Sequence, residues 1–539
     1  MFSFFQKKVC LILLTGLLVV SCSDPTTVTV TGNENITIYS QTDMAKIGAA
    51  ETHPLTGNYL LANDITLEDW PPIGDEAKPF AGVFNGNGKK ITLNSFAAAA
   101  VSGKTYLGVF GYVKGKSASA RAAIKNLTIQ SSVDAVSTMA SGQAVGLVTG
   151  YAELAVIENI TLTGIFAFKS EKTIFAGGAA GFISEERTLV KNSKSSLTMN
   201  IVPGSGGGLA GGVGYNYVGG FVGMFRNGAG IENCHNSGDV IADNTANAVS
   251  GQVFAGGIAG GSFHAINTNY HGYITDSSSG GTIIGRAKGN WTFAGGIAGT
   301  IVGGDGTPAH ITRIERCFAA GTVSVAGTDS GFPYVGGIVG YNYYGALVSQ
   351  CYFDGAVIAD KSGDYTGGIA GYNSQAADHN SRIEDCWSSG TVTGFNNSGG
   401  IVGQNQINTY VRRSYSTAVI STTNSADTGV GGITGMNMST MDGGAITACV
   451  ALNPSLSSPA GNNIYRITGT ADGNSSNNHA WSGMTVTTGG TYTADIGPAA
   501  ADGADCEEKP NQAFYEGLGW DFDNIWKMGI DGYPQLMWQ

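Results

Sequence analysis

The chain has 539 residues, of which 83 are glycine, and only 13% are charged. That glycine share is about twice the usual one, and with so few Lys and Glu it excludes a helical bundle and a charge-rich disordered chain. The net charge of −12 comes without any basic run, which excludes recognition of nucleic acid or anionic lipid through a positive patch.

The first element in chain order has a secretory plan. Lys7 and Lys8 precede an apolar run from Val9 to Val20, too short for a comfortable membrane span. The text "VVSC" at Val19–Cys22 resembles a bacterial lipobox, whose Cys is acylated and becomes the new N-terminus. Residues 1–21 are therefore read as a lipoprotein signal peptide, Cys22 as the lipidation site and 22–35 as a polar tether. Acyl chains at ~0.8 kcal/mol per buried methylene would anchor the protein stably. The expected location is the bacterial outer membrane, on its exposed surface. Loss of residues 1–21 removes two Lys and no acid, moving the net charge from −12 to −14.

Residues 36–106 lack the full repeat and are read as an N-terminal cap and first coil. From 107 to 450 one phrase recurs. Aligned on a glycine it falls at Gly108, Gly146, Gly178, Gly220, Gly257, Gly296, Gly337, Gly368, Gly400 and Gly432, at intervals of 31 to 42 residues. A second anchor follows each: "IKNL", "IENI", "VKNS", "IENC", "ITDS", "IERC", "VSQC", "IEDC", "VRRS" and "ITAC". The anchors are fixed and the connecting arcs vary. A short strand of alternating Ile or Val and small residues cannot bury its face alone; stacked copies can, at ~4.8 Å per step. The pattern predicts an all-β right-handed parallel β-helix, with glycine where the chain bends or where a side chain would crowd the next coil. Residues 451–539 are read as last coils and cap, with Trp520, Trp526 and Trp538 plugging the end of the core, because an open solenoid end is an unpaired edge.

Phrases such as "GGIVGYN" (336–342) and "IEDCWSSGTV" (383–392) resemble the GLUG-motif family. So do "PIGDEAKPFAGVFNGNGKKITL" (72–93) and "GLGWDFDNIWKMGIDGYPQLMW" (517–538). The resemblance implies a bacterial surface or secreted protein with an adhesin-like role. The family also occurs beside metallopeptidase domains in immunoglobulin A proteases. This chain has no His-Glu-x-x-His, so that activity does not carry over.

Three columns carry the side-chain expectations. The last anchor position, Leu127, Ile160, Ser193, Cys234, Ser277, Cys317, Cys351, Cys386, Ser414 and Cys449, is a small inward slot. Stacked Cβ atoms ~4.8 Å apart are too far for a good disulfide, so free buried thiols are expected. Asn342, Asn373, Asn405 and Asn437 predict an amide ladder from coil to coil. Glu158, Glu232, Glu315 and Glu384, second in their anchors, are expected to point outward as solvated charges.

Tyrosines give the binding lead. Tyr341, Tyr343, Tyr344 and Tyr372 follow the corner in successive coils, and Tyr270 and Tyr273 share one long arc. Planar rings with a polar tip suit a glycan or a surface protein. No clustered carboxylates, nucleophile elbow, phosphate loop or Cys-x-x-Cys appears, so no cofactor, no metal and no catalysis are expected. The reading is a lipid-anchored surface solenoid for adhesion or ligand binding, with a microbial or host glycan or surface protein as partner. The alternative is a β-helix carbohydrate-active enzyme, a polysaccharide lyase or glycoside hydrolase. A third is a structural spacer.

Overall fold

Among the described residues, strands of β-branched and aromatic residues, separated by glycine, assemble into one sheet of 30 strands and two of 11. The computed structural model describes residues 35–206, 209, 214–245, 251–262, 271–304, 310–325, 332–360, 364–375, 379–424, 429–439, 445–460, 463–471 and 473–539. Among these, the strand pairings are parallel except the closing hairpin of Trp526–Met528 with Pro534–Leu536. The expected leader, tether and lipidated Cys22 lie outside the described residues.

One winding shows the plan. Pro333–Gly336 lies in the third sheet, Val339–Tyr343 in the second, and Leu347–Ser349 and Tyr352–Ala359 in the wide one. Each pairs in register with the next winding: Gly336 faces Gly367, Asn342 faces Asn373, Val348 faces Ile383, and Val357 faces Val392. This is the parallel β-helix that the repeat predicts, consistent with right-handed crossovers. Eleven strands at ~4.8 Å per step extend on the order of 50 Å.

The three glycines of each phrase answer to backbone approach. A Cβ on Gly337 would overlap the carbonyl oxygen of Gly368, and one on Gly368 that of Gly400. Gly400 stands in the same relation to Gly432. The first glycine, Gly336, would meet the carbonyl of Val339 within its own winding. The third, Gly340, would sit 2.6 Å from the oxygen of Gly299 in the previous winding. None of these glycines has a positive φ, so steric room, not left-handed geometry, dictates them.

The left-handed conformation falls instead on the third residue of the second anchor. Asn126, Asn159, Asn192, Asn233, Asp276, Arg316, Gln350, Asp385, Arg413 and Ala448 all have φ between 44° and 56°. Asn and Asp tolerate this region best among residues with a Cβ, which is why they lead the column. Their side chains also bond along the axis. Asn159 donates to Asn126 at 3.0 Å and Asn233 to Asn192 at 2.9 Å. Arg316 grips Asp276 at 2.7 and 3.0 Å, and Arg413 grips Asp385 at 2.8 Å through each of two nitrogens.

Inside, Ile258, Ile297, Ile338, Ile369, Ile401, Ile433 and Ile467 form a fully buried column at the glycine corner. A second buried column runs up the wide sheet through Ile231, Ile274, Ile314, Val348, Ile383, Val411 and Ile446. Each such side chain contributes roughly 1.5–3 kcal/mol of burial. The expected amide ladder is present. Asn342 donates to Asn373 at 2.8 Å, Asn373 to Asn405 at 2.8 Å and Asn405 to Asn437 at 3.1 Å, all fully buried.

The ends differ from the reading of a terminal plug. Trp520 donates to the carbonyl of Ala448 at 2.9 Å, Trp526 to Asp385 at 3.3 Å and Trp538 to the carbonyl of Gln350 at 3.1 Å. These three partners lie on successively earlier windings. The C-terminal segment therefore runs back along the flank of the wide sheet, over the outward ring stack Phe318, Tyr352, Trp387 and Tyr415. Those outward rings, all at strand positions facing away from the lumen, supply the apolar surface that draws it there.

Gly368→Ala is expected to lower stability by about 2–3 kcal/mol, seen as a lower denaturation midpoint. Gly280→Ala, with nothing within 4 Å of the added methyl, is the control and should change it by less than about 0.5 kcal/mol. Equal midpoints would show that the corner can open.

Candidate functional site

The chain between Val335 and Val339 turns so tightly that the outer faces of two strands look at each other. Val335 and Val339 point into the main core, while Tyr334 and Tyr341 belong to a separate aromatic cluster on the opposite side. Tyr334 and Tyr341 come from different sheets, yet their rings are 5.6 Å apart. Each winding thus contributes two outward positions to one re-entrant groove.

Strand register aligns these positions into two columns. The third sheet gives Tyr106, Ala144, Phe175, Tyr217, Phe254, Phe293, Tyr334 and Tyr365. The second gives Tyr112, Tyr151, Phe182, Met224, Gly261, Thr300, Tyr341 and Tyr372. Along most of the length the two columns fill the groove between them. Opposite the single small residue Ala144, Tyr106 and Tyr151 close the gap at 5.5 Å. Gly261 and Thr300 are two consecutive small residues, and there the columns part.

The result is a cleft of about 350 Å³ lined by Tyr215, Tyr217, Gln252, Phe254, Trp291, Phe293, Thr300, Val302, Tyr341 and Tyr343. Tyr217, Phe254 and Phe293 form its wall as a face-to-face stack, with centroids 4.6 and 4.5 Å apart and planes within 12°. Tyr341 leans across from the next winding, 5.6 Å from Phe293. Trp291 stands at the rim, 41% exposed and at 67° to Phe293. Burial raises the Tyr217, Tyr341 and Tyr343 phenols above their ordinary value, so all three are neutral hydrogen-bonding groups at physiological pH.

The sequence-derived tyrosines fall in three places. Tyr341 and Tyr343 line the cleft and stack at 4.9 Å. Tyr372 lies one winding further along the same column, 5.4 Å from Tyr341. Tyr344 turns away at a positive φ and packs on His379 at 4.6 Å. Tyr273 is on the wide sheet, where its hydroxyl donates to Glu232 at 2.6 Å with Arg313 over its ring. Tyr270 lies outside the described residues. Sequence reasoning missed Tyr217, Phe254, Trp291 and Phe293 because they precede the glycine phrase. The signal was available as an aromatic two residues before the first glycine in "YVGG", "FAGG" and "YVGG".

The polar hollow around Tyr273, about 600 Å³, holds Lys191, Glu232, Asp276, Arg313, Glu315 and Arg316. Its charges largely pair with one another: Glu315 with Arg313 and Arg316, and Asp276 with Arg316. The acids of the anchor column alternate in register with Lys191, Thr275 and Ser349, so no two stand on neighbouring windings. Among the described residues no group of three His, Cys, Asp or Glu side chains could hold a metal ion.

The anchor cysteines Cys234, Cys317, Cys351, Cys386 and Cys449 are free and fully buried. Each thiol donates to the carbonyl two residues before it, at 3.1 to 3.5 Å. Ser193, Ser277 and Ser414 do the same from the same slot at 2.8 to 2.9 Å. The slot therefore selects a small donor, which explains why Ser and Cys interchange. Burial pushes the Cys234 and Cys449 thiols up to about 12 and Cys351 well above its ordinary value, far from a reactive thiolate.

Residues 333–358, one winding with its second anchor, match the model of the GLUG motif. No curated protein matches the chain. Among solved structures the chain is similar to a Bacteroides ovatus protein described as a "putative immunoglobulin A1 protease". The two share 16% identity over 94% of each chain, with a TM-score of 0.27.

A thiol reagent at pH 8 should label none of the five column cysteines until denaturant is added; labelling of the folded protein would contradict the column. Cys386→Ser keeps the donor to Glu384 and should cost less than about 0.5 kcal/mol, whereas Cys386→Val should cost about 1–2 kcal/mol in unfolding free energy.

Proposed function

We propose that this chain is a lipid-anchored bacterial surface solenoid that captures a ligand in the aromatic cleft without transforming it. One observation carries the reading. Between Tyr106 and Tyr372 the paired, mostly aromatic columns part at Gly261 and Thr300, and the walls exposed there hold no carboxylate, imidazole, amine, guanidinium or thiol. Such a wall can bind and orient, and burial holds the Tyr217, Tyr341 and Tyr343 phenols neutral, with no carboxylate or imidazole beside them to take a proton. The stack behind it is held on paired strands, so the cleft is preformed and little ordering entropy opposes binding. The anchor reading rests on the lipobox text and Cys22. Acylation there would tether the solenoid to the outer membrane with its windings free to meet a glycan or a surface protein.

A second reading, a carbohydrate-active enzyme, is favoured by the hydrogen bond of Tyr273 to Glu232 inside a polar hollow. It predicts release of reducing ends or of unsaturated uronates from polysaccharides, lost in Glu232→Gln.

The chain from residue 23 onward should bind on an array of glycans and host-matrix proteins, and Tyr341→Ala with Tyr343→Ala should weaken that binding at least tenfold, roughly 1.4 kcal/mol. Undiminished binding removes the cleft from consideration. In cells, Cys22→Ser should move the protein from the membrane fraction to the soluble one; unchanged fractionation contradicts the anchor.

A further inference from the structure

We infer that the ligand of the aromatic cleft is an uncharged oligosaccharide; this rests on the cleft being the capture site. Three features select the class.

The first is charge. The ten lining residues include no Lys, Arg, His, Asp or Glu, in a chain whose net charge is −12. A uronic, sialylated or sulfated glycan would find no cation there and would enter a repulsive field. A cationic ligand would find no carboxylate to pair with.

The second is polarity inside an apolar wall. Tyr217 lines the cleft, is 3% exposed, and its hydroxyl has no hydrogen-bond partner among the described residues. The side-chain amide of Gln252, on the same wall, also has none. Leaving such groups unpaired on binding is costly, so an acyl chain or aliphatic side chain is the wrong occupant. Sugar hydroxyls, each both donor and acceptor, can pair with a phenol and an amide together.

The third is the shape and orientation of the rings. Phe254 and Phe293 face each other and their other faces are covered by Tyr217 and Tyr341, so the stack offers a ligand its ring edges, the positive rim of the π system, which suits ligand oxygens. Trp291, set at 67° to Phe293 and 41% exposed, offers a flat side for the C–H face of a sugar ring. About 350 Å³ is at the small end of ligand pockets, room for one or two sugar rings. A peptide adding as a strand is disfavoured because the wall strand Gln252–Gly256 is already paired on both sides, with Tyr215–Gly219 and Thr292–Gly295, and has no free edge.

The test is calorimetric titration of the chain from residue 23 onward, which keeps the whole compact unit Asn35–Gln539. The probes are neutral oligomers of glucose, mannose, galactose and N-acetylglucosamine, beside uronate, sialylated and sulfated oligosaccharides. Binding is expected within the neutral series, unchanged between about 50 and 500 mM NaCl. Trp291→Ala should weaken it at least tenfold and Tyr217→Phe three- to tenfold. Thr300→Tyr places there the ring that Tyr341 carries in the next winding, fills the cleft and should abolish binding, with near-ultraviolet circular dichroism confirming that each variant folds. Binding confined to charged glycans, affinity that falls with salt, or a Tyr217→Phe variant with full affinity for neutral glycans overturns the inferred class. A protein ligand displaced by Thr300→Tyr also overturns the class but leaves the cleft as the capture site. A glycan that Thr300→Tyr does not displace overturns the cleft reading itself.

Discussion

The architecture depends on how closely the backbone passes itself at one corner. Successive windings approach so nearly at Gly337, Gly368 and Gly400 that a single methyl group would strike the carbonyl of the next winding. That approach draws the second and third sheets into a wedge whose apex, the Ile338 column, presses into the main core. It also turns the outer faces of both sheets toward each other. An ordinary convex corner would have left Tyr334 and Tyr341 on separate solvent-facing surfaces. Here they share an aromatic cluster, so the solenoid has a second apolar layer outside its lumen.

A second constraint runs along the opposite side. The left-handed residue in each second anchor marks a bend in the wide sheet, and the carbonyl before it accepts a backbone N–H from the neighbouring winding, as Glu315 does from Asp276 and Glu384 from Gln350. The side chain two residues on from that carbonyl donates to it as well, by hydroxyl in Ser193 or Ser414 and by thiol in Cys317 or Cys386. Leu127 and Ile160 occupy the slot in early windings, where that carbonyl lies on the long continuous strands Ala122–Ser137 and Ala155–Ser170.

These columns were legible in the sequence because they obey strict register. The spacing of the glycine phrase, the Asn342 to Asn437 ladder and the free thiols could all be read by aligning repeats. The left-handed column was visible as Asn and Asp in "IKN", "IEN" and "IED", but its meaning depends on a φ angle that spacing does not give. The C-terminal tryptophans were misplaced for a related reason. Sequence shows that Trp520, Trp526 and Trp538 need burial; it does not show whether an open end or a stacked ring ladder provides it. The aromatic groove was half legible. Tyr341 and Tyr372 stood out by following the phrase, whereas their opposite numbers Phe293 and Tyr334 precede it, and only the wedge brings the two sets together.

A groove made this way separates function from folding. The inward columns set stability, and the two isoleucine columns continue through the windings that carry Gly261 and Thr300: Ile258, Ile297 and Ile338 stay fully buried there, as do Ile274 and Ile314. What changes at the cleft is only the outward residue of one strand in two windings. Two consecutive small residues in a column otherwise of rings and Met224 make a cavity whose opposite wall is already stacked and held in place. A solenoid can therefore gain, lose or move such a cleft by exchanging one outward residue per winding, without altering its register. The same logic explains why repeated text reveals the scaffold so readily and the site so poorly: the scaffold is what the windings share, and the site is where two of them differ.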